Sequence, residues 1–224
     1  MPILTSVSIN SIEYLLLGLL AFVLAGVLTW PVRKIAISIG AMDKPTLERK
    51  TQKEPIPYLG GVAIALGVSV VTFAALFFTD EKALIIERGL TAIIPALLLG
   101  VVGLIDDLRS LPAWPRLIVQ TVIGTLIALV LVQTGTLGIA FNSDAINTLV
   151  TIFWIVGICN SINFFDNLDG GAAGTVAITA ISLTYLAITG DQYFIAALAI
   201  VVAGSTLGFL IWNRAPARIY MGDA

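Results

Sequence analysis

The polar positions of this chain fall in clusters, and long apolar runs separate them. Residues 14–32 and 60–78 hold no charged side chain, and neither do 90–105, 117–132, 145–165, 171–189 and 193–212. As α-helices rising ~1.5 Å per residue, the first two would each span roughly 28 Å, about the thickness of a bilayer's hydrocarbon core. The pattern predicts an all-α, polytopic integral membrane protein with about seven transmembrane helices, the third and fourth being short. No short internal repeat, linker or low-complexity tract interrupts the series, so 1–224 reads as a single membrane-embedded domain. Composition agrees: 58% of residues are hydrophobic and 12% charged, with a mean hydropathy of +1.00. Soluble domains carry about twice that charge.

The connectors between the runs alternate in character. One set, 33–59, 106–116, 160–170 and 213–224, contains Arg33, Lys34, Lys44, Arg49, Lys50, Lys53, Arg109, Arg116, Arg214 and Arg218, and the other set only Lys82 and Arg88. Basic residues concentrate in cytoplasmic connectors, so the first set is expected inside and the N-terminus outside. Asp43, Asp106, Asp107, Asp166, Asp169 and Asp223 fall on that same face, although acids contribute little to such sorting. Arg33 and Lys34 follow the first run rather than precede it, so the run is not expected to be a cleavable signal peptide. The single cysteine, Cys159, excludes an intrachain disulfide, and the lack of histidine excludes histidine bases and histidine metal ligands.

Three polar constellations stand out against this background. In "NSINFFDNLDGG", residues 160–171, Asn160, Asn163, Asp166 and Asp169 recur every third position. On a helix the first three share one broad face, with Gly170 and Gly171 releasing the backbone behind them. Amides and carboxylates together suit a uracil or sugar edge, or a cation. A solvated polar helix end is the plainer alternative. Asp106 and Asp107 close the third run, where adjacent carboxylates repel and the helix C-terminus disfavours acids further. A cation or a basic partner would relieve both penalties, and hard oxygen donors without histidine point to magnesium rather than zinc. Two hydrated acids in a turn would explain the pair equally. Asp223, near the end of the chain, would add another oxygen on the same face. Lys44, Arg49, Lys50 and Lys53 make the first connector basic, which attracts phosphate or anionic lipid at a membrane surface. Taken alone, a topology determinant and nothing more is the plainer reading of that loop.

Taken in chain order, these segments resemble the polyprenyl-phosphate N-acetylhexosamine-1-phosphate transferases, a family that includes the translocase making the first peptidoglycan lipid intermediate. The resemblance rests on Asp43-x-Pro45, Arg49-Lys50 and Pro55-Ile56-Pro57-x-x-Gly60-Gly61; on Gly103-Leu104-Ile105-Asp106-Asp107; on Asn160-x-x-Asn163-x-x-Asp166-x-x-Asp169-Gly170; and on Met221-Gly222-Asp223. The Pro-Ile-Pro form of the first connector resembles the hexosamine branch more than the peptidoglycan translocase. The chain departs from the family at Gln52, where many members carry histidine, at Asn167 in place of a common glycine and at Gly171 in place of a common leucine. Family members usually have ten or eleven helices, so 1–224 is expected to be a C-terminally incomplete piece of such an enzyme.

The resemblance implies transfer of an N-acetylhexosamine 1-phosphate, GlcNAc-1-phosphate by its branch, from a UDP-sugar to undecaprenyl phosphate with release of UMP. That is a first membrane step of cell-envelope polysaccharide synthesis, on the cytoplasmic face of the bacterial inner membrane. It implies Mg2+, with Mn2+ left open, held by Asp223 and Asp107. Asp106 would orient the lipid phosphate or accept its proton. Asn163, Asp166 and Asp169 would bind the UDP-N-acetylhexosamine with support from Asn160, and Lys44, Arg49 and Lys50 would hold phosphate groups. The expected partners are the two substrates and membrane lipid, without nucleic acid; a homodimer is left open. Two other classes remain as alternatives: an inactive membrane fragment that binds lipid phosphate, and an ion-coupled transporter. The transporter would place acids near mid-bilayer, whereas here the centres of the runs are almost purely apolar.

Overall fold

The computed structural model describes residues 11–43, 54–77, 82–109, 111–133, 141–166 and 168–223. Among them are seven α-helices: α1 (Ser11–Ile39), α2 (Gly60–Phe77), α3 (Lys82–Arg109), α4 (Ala113–Gln133), α5 (Asp144–Phe165), α6 (Gly171–Thr189) and α7 (Tyr193–Asn213). Six are long and apolar enough to cross a membrane; the apolar stretch of α2, Gly60–Leu76, is shorter. α3 and α4 are longer than their apolar runs suggested. α3 begins at Lys82, so its first turns carry the charges that made the run look short. Likewise α1 continues through Arg33 and Lys34 to Ile39, with the Lys34 ammonium 3.7 Å from the Trp30 ring centroid. Long cationic side chains can lie along a helix wall near a membrane boundary, so charge alone does not end the helix. The first connector also forms a feature the apolar pattern did not suggest. β1 (Met42–Asp43) pairs antiparallel with β2 (Ile56–Pro57), Met42 opposite Pro57.

The centre of the bundle is built from small residues. On α1 the buried positions are Tyr14, Gly18, Ala21, Ala25, Thr29, Val32 and Ala36, a stripe at steps of three and four. It faces α7, whose Gly204 and Gly208 lie four apart. A Cβ on Gly204 would sit 2.1 Å from the Gly18 carbonyl oxygen, and one on Gly208 would sit 2.1 Å from that of Phe22. The two backbones are therefore in direct contact. Lipid tails are as apolar as leucine, so helices in a bilayer gain little from hiding apolar surface from each other. They associate through this kind of close approach. α2 joins the same centre: a Cβ on Gly67 would meet Ser205 Oγ at 3.0 Å and Ala25 Cβ at 3.1 Å. α6 packs on α7 through another small-residue face, Ala172, Ala173, Ala177, Ala180, Thr184 and Ala187.

α3 lies between α2 and α4, and α4 pairs with α5. α5 buries none of its residues; Phe153 is 78% exposed, and its outward surface is apolar as a lipid-facing surface would be. Because successive helices run up and down, the C-terminal ends of α1, α3, α5 and α7 meet the N-terminal ends of α2, α4 and α6. All of the aspartates singled out from the sequence lie at this end of the bundle.

Replacing Gly208 with leucine should separate α1 from α7. Overpacking typically costs about 1–3 kcal/mol, and here the clash is with backbone, so the melting temperature in detergent should fall by at least about 4 °C. Gly174, whose Cβ would meet nothing within 4 Å, is the control: Gly174→Ala should leave the melting temperature unchanged or raise it slightly.

Candidate active site

α7 ends at Asn213 because the next residues cannot continue it: Arg214 is already extended, with φ −61 and ψ 150, and Pro216 follows. The segment 214–223 then folds back into the polar end of the bundle. Its backbone polar groups are leaving water, so each needs a partner. The Arg218 amide donates to the Trp212 carbonyl at 2.8 Å and the Tyr220 amide to that of Pro57 at 2.9 Å. In return Gly60 donates to the Tyr220 carbonyl at 3.0 Å and Gly61 to that of Met221 at 2.7 Å. The glycines are required here by space: a Cβ on Gly60 would lie 2.2 Å from the Phe209 ring and 2.8 Å from the Tyr220 oxygen. Ile219 is fully buried and Met221 nearly so, which seats the segment against α2 and α7.

Aspartates supply the remaining partners. Both carboxylate oxygens of Asp107 accept from the Asp223 amide, at 3.0 Å each. Asp166 Oδ2 accepts from the Gly222 amide at 3.0 Å, and Asp169 Oδ2 from the Ala217 amide at 2.9 Å. Gly222 takes φ +80, and a Cβ there would lie 2.6 Å from Asp107 Oδ2, so the backbone of the segment rests directly on that carboxylate. Beneath them Asn213 is fully buried. Its Oδ1 accepts from the Gly170 amide at 3.1 Å, and its Nδ2 donates to the Ile219 carbonyl at 3.0 Å. One side chain thus joins the α5–α6 connector to the returning segment.

Asp223 meets the other acids through Arg116. Arg116 Nη1 donates to Asp106 Oδ2 at 2.7 Å and to Asp223 Oδ2 at 3.1 Å. Asp106 is only 5% exposed; its Oδ1 also accepts from the Leu111 amide at 2.7 Å, which closes the α3–α4 turn. Asn163 Nδ2 donates to Asp223 Oδ1, and the Tyr58 hydroxyl donates to the Asp107 carbonyl at 3.1 Å. Burial, then the neighbouring Asp106 carboxylate, push the Asp223 carboxyl up to about 6, against the pull of Arg116 and Asn163. Burial also pushes Asp166 up to about 7; the Gly222 and Met221 amides lower it, while Asp223 and Asp169 repel it.

Among the described residues Asp106 and Asp223 share one ion-pair partner, Arg116, while Asp166 Oδ1 is buried with no hydrogen-bond partner among those residues. An orphaned carboxylate oxygen among hard oxygen donors fits a divalent cation such as Mg2+. Among the described residues no three acids form a ready-made metal cage. Mg2+ does not require one, since it is usually held by one or two carboxylates together with water and substrate phosphates.

The structure brings together Asp106, Asp107, Asn163, Asp166, Asp169 and Asp223. It places Asn160 elsewhere: its Nδ2 donates to Gln120 Oε1 at 2.9 Å and to the Val156 carbonyl at 2.8 Å. There it stands at the end of an apolar groove of about 490 Å³ between α4 and α5, lined by Leu117, Leu149, Ile152, Phe153 and Val156. Asn163, which meets Asp223, follows one helical turn later on α5. Lys44, Arg49 and Lys50 lie outside the described residues. Sequence reasoning missed Arg116, Tyr58 and Asn213 as site residues. Arg116 carried a usable signal, being a cation across a short turn from an acidic pair. Asn213 carried a fainter one, as a lone amide closing an apolar run.

Asn213→Ala should strand the Gly170 amide and the Ile219 carbonyl in a buried setting. Each unsatisfied partner costs about 1–3 kcal/mol, so the melting temperature should fall by at least roughly 4 °C. Asp169→Asn retains an acceptor for Ala217 at an exposed position and should shift it by less than about 2 °C.

Residues 89–224 match the family described as glycosyl transferase family 4, which covers α3 from Gly89, α4 to α7 and the returning segment. The chain is 34% identical over 202 residues to a probable undecaprenyl-phosphate N-acetylglucosaminyl 1-phosphate transferase of Bacillus subtilis, covering 88% of this chain and 54% of that protein. It is 32% identical over 230 residues to a decaprenyl-phosphate N-acetylglucosaminephosphotransferase of Mycobacterium tuberculosis, covering 95% of this chain and 56% of the relative. A phospho-N-acetylmuramoyl-pentapeptide-transferase of Streptococcus uberis is 30% identical over 187 residues, with coverage of 76% and 55%. The chain therefore spans about half the length of these curated relatives. The matched region covers more than half of the chain and includes all five aspartates that touch Arg116 or the returning backbone, and on the strength of that match the chain belongs to glycosyl transferase family 4.

Proposed function

We propose that this chain carries the catalytic carboxylates of an enzyme that transfers GlcNAc 1-phosphate from UDP-GlcNAc to undecaprenyl phosphate at the cytoplasmic face of a bacterial inner membrane. The observation that carries this reading is a juxtaposition. A cluster of Asp106, Asp107, Asp166 and Asp223 lies at the end of the bundle toward which α5 runs from an apolar groove, with Asn160 lining the groove and Asn163, one turn on, meeting Asp223. A polyprenyl phosphate has the matching form, with an apolar tail that stays in lipid and an anionic head that must meet a water-soluble nucleotide. The names of the relatives supply a polyprenyl-phosphate acceptor and an N-acetylglucosamine phosphate donor. The concentration of basic residues in the connectors at this end supports its cytoplasmic orientation.

In the proposed reaction an oxygen of the lipid phosphate bonds to the sugar-bearing phosphorus of the donor. The bond from that phosphorus to the oxygen it shares with UMP breaks, and UMP leaves with the electron pair. Alignment and charge neutralisation carry such a step more than covalent catalysis does. Asp107 and Asp223 would hold Mg2+ beside the unpartnered Asp166 oxygen, and the ion would supply neutralisation of the diphosphate oxygens when bound. Asp106, fixed by the Leu111 amide, positions Arg116, whose guanidinium orients the acceptor phosphate; that phosphate is already largely anionic at neutral pH, so proton removal contributes little. Asn163 orients Asp223, and Asp166 and Asp169 face the donor from the α5–α6 connector. The tail of the acceptor lies in the α4–α5 groove, with Asn160 at its polar end.

Reconstitution into vesicles with undecaprenyl phosphate and labelled UDP-GlcNAc tests this reading through UMP release. Asp107→Asn and Asp223→Asn should each lower turnover by at least about 100-fold while the protein still inserts. Near-normal turnover with Asp223→Asn would remove Asp223 from the mechanism.

A further inference from the structure

A second polar cavity lies at the end of α7, apart from the carboxylate cluster. It measures about 240 Å³ and is lined by Ile211, Arg214, Ala215, Pro216 and Arg218. Both arginines are exposed, and neither guanidinium makes an ion pair or hydrogen bond with a described residue. Their backbone, by contrast, is held firmly. The Arg218 amide donates to the Trp212 carbonyl at 2.8 Å, and its own carbonyl accepts from Arg33 Nε at 2.9 Å, which brings a third guanidinium from α1 to the edge of the cavity. Trp212 Nε1 in turn donates to the Gly26 carbonyl at 2.9 Å and fixes this end of α7 against α1. The Asp169 carboxylate, whose Oδ2 accepts from the Ala217 amide, does not line the cavity.

The position of the cavity suits a lipid more than a solute. α7 is long and apolar enough to cross a membrane and ends at Asn213, which would set Arg214 and Arg218 at the level of the lipid headgroups. Ile211, one turn back on α7, is 46% exposed and offers an apolar wall on the membrane side of the arginines. A planar guanidinium pairs with a phosphate through two parallel hydrogen bonds. We propose that this cavity binds the phosphate of an anionic glycerophospholipid, with one acyl chain against Ile211. The same contact would brace the returning segment that carries Asp223, because Arg218 lies within it.

Native mass spectrometry of the purified chain, released from micelles containing phosphatidylglycerol or phosphatidylcholine, tests the proposal. The chain should retain phosphatidylglycerol in preference to phosphatidylcholine. Each basic residue near an anionic membrane surface contributes about 1 kcal/mol, so R214Q/R218Q should weaken retention by about 30-fold. R214K/R218K, which keeps both charges but loses the paired hydrogen bonds, should weaken it by at least about threefold. Arg109→Gln removes an exposed cation from the same end of the bundle and should leave retention unchanged. Millimolar inorganic phosphate should not displace the bound lipid. Unchanged retention in either double variant, an equal loss with Arg109→Gln, or displacement by inorganic phosphate would each overturn the proposal.

Discussion

The site depends on one constraint: a short extended segment must bring its backbone amides into an apolar bundle without leaving them unpaired. Between Arg214 and Asp223 the chain has neither a helix nor a complete sheet to satisfy it. Pro57, Gly60 and Gly61 pair with it on one side, and Asp107, Asp166 and Asp169 on the other. A charged acceptor makes a stronger hydrogen bond than a neutral one, which suits carboxylates to this role. The consequence is that the acids proposed to handle phosphate are held in place by the chain's own backbone. Asp107 grips the amide of Asp223, so the two are fixed relative to each other before any substrate arrives.

The bundle makes that geometry affordable in a membrane. α1, α2 and α7 meet through Gly18, Ala21, Ala25, Gly67, Gly204 and Gly208, where the backbones touch. A rigid centre of this kind sets the end of α7 against the start of α2, and with it the position of the returning segment. The periphery is different. α5 buries nothing, yet it delivers Asn163 and Asp166 from its C-terminal end. Its polar end is tied into the site by the Asn163–Asp223 contact and by the bond from Gly222 to Asp166, while its apolar length is left to line the groove with α4.

Much of this was legible in the sequence, because its strongest signal is physical. Charge is expensive in a bilayer, so the uncharged runs located the helices and the leftover acids located the polar end. The three-residue spacing of Asn160, Asn163 and Asp166 placed them on the end of α5 as expected, and Asp106, Asp107 and Asp223 did converge. What the spacing could not show was direction. Asn160 turns toward Gln120 on α4 and away from its neighbours in the motif, a choice made by packing between helices. Arg116 was read as a topology signal, since nothing local reveals that one of its nitrogens bridges Asp106 and Asp223. Asn213 is harder still, because its two partners lie in different segments that only the fold unites. The β1–β2 pair escaped notice because two-residue strands leave almost no periodicity to read.

The central claim is that Asp107 and Asp223, held together by the returning backbone, form one cation site shared with the donor diphosphate. Electron paramagnetic resonance of Mn2+ tests it most directly, using the purified chain with and without UDP-GlcNAc. The account predicts one tightly held Mn2+ per chain in the presence of the nucleotide sugar, lost in both Asp107→Ala and Asp223→Ala. A spectrum that is unchanged in both variants would contradict it.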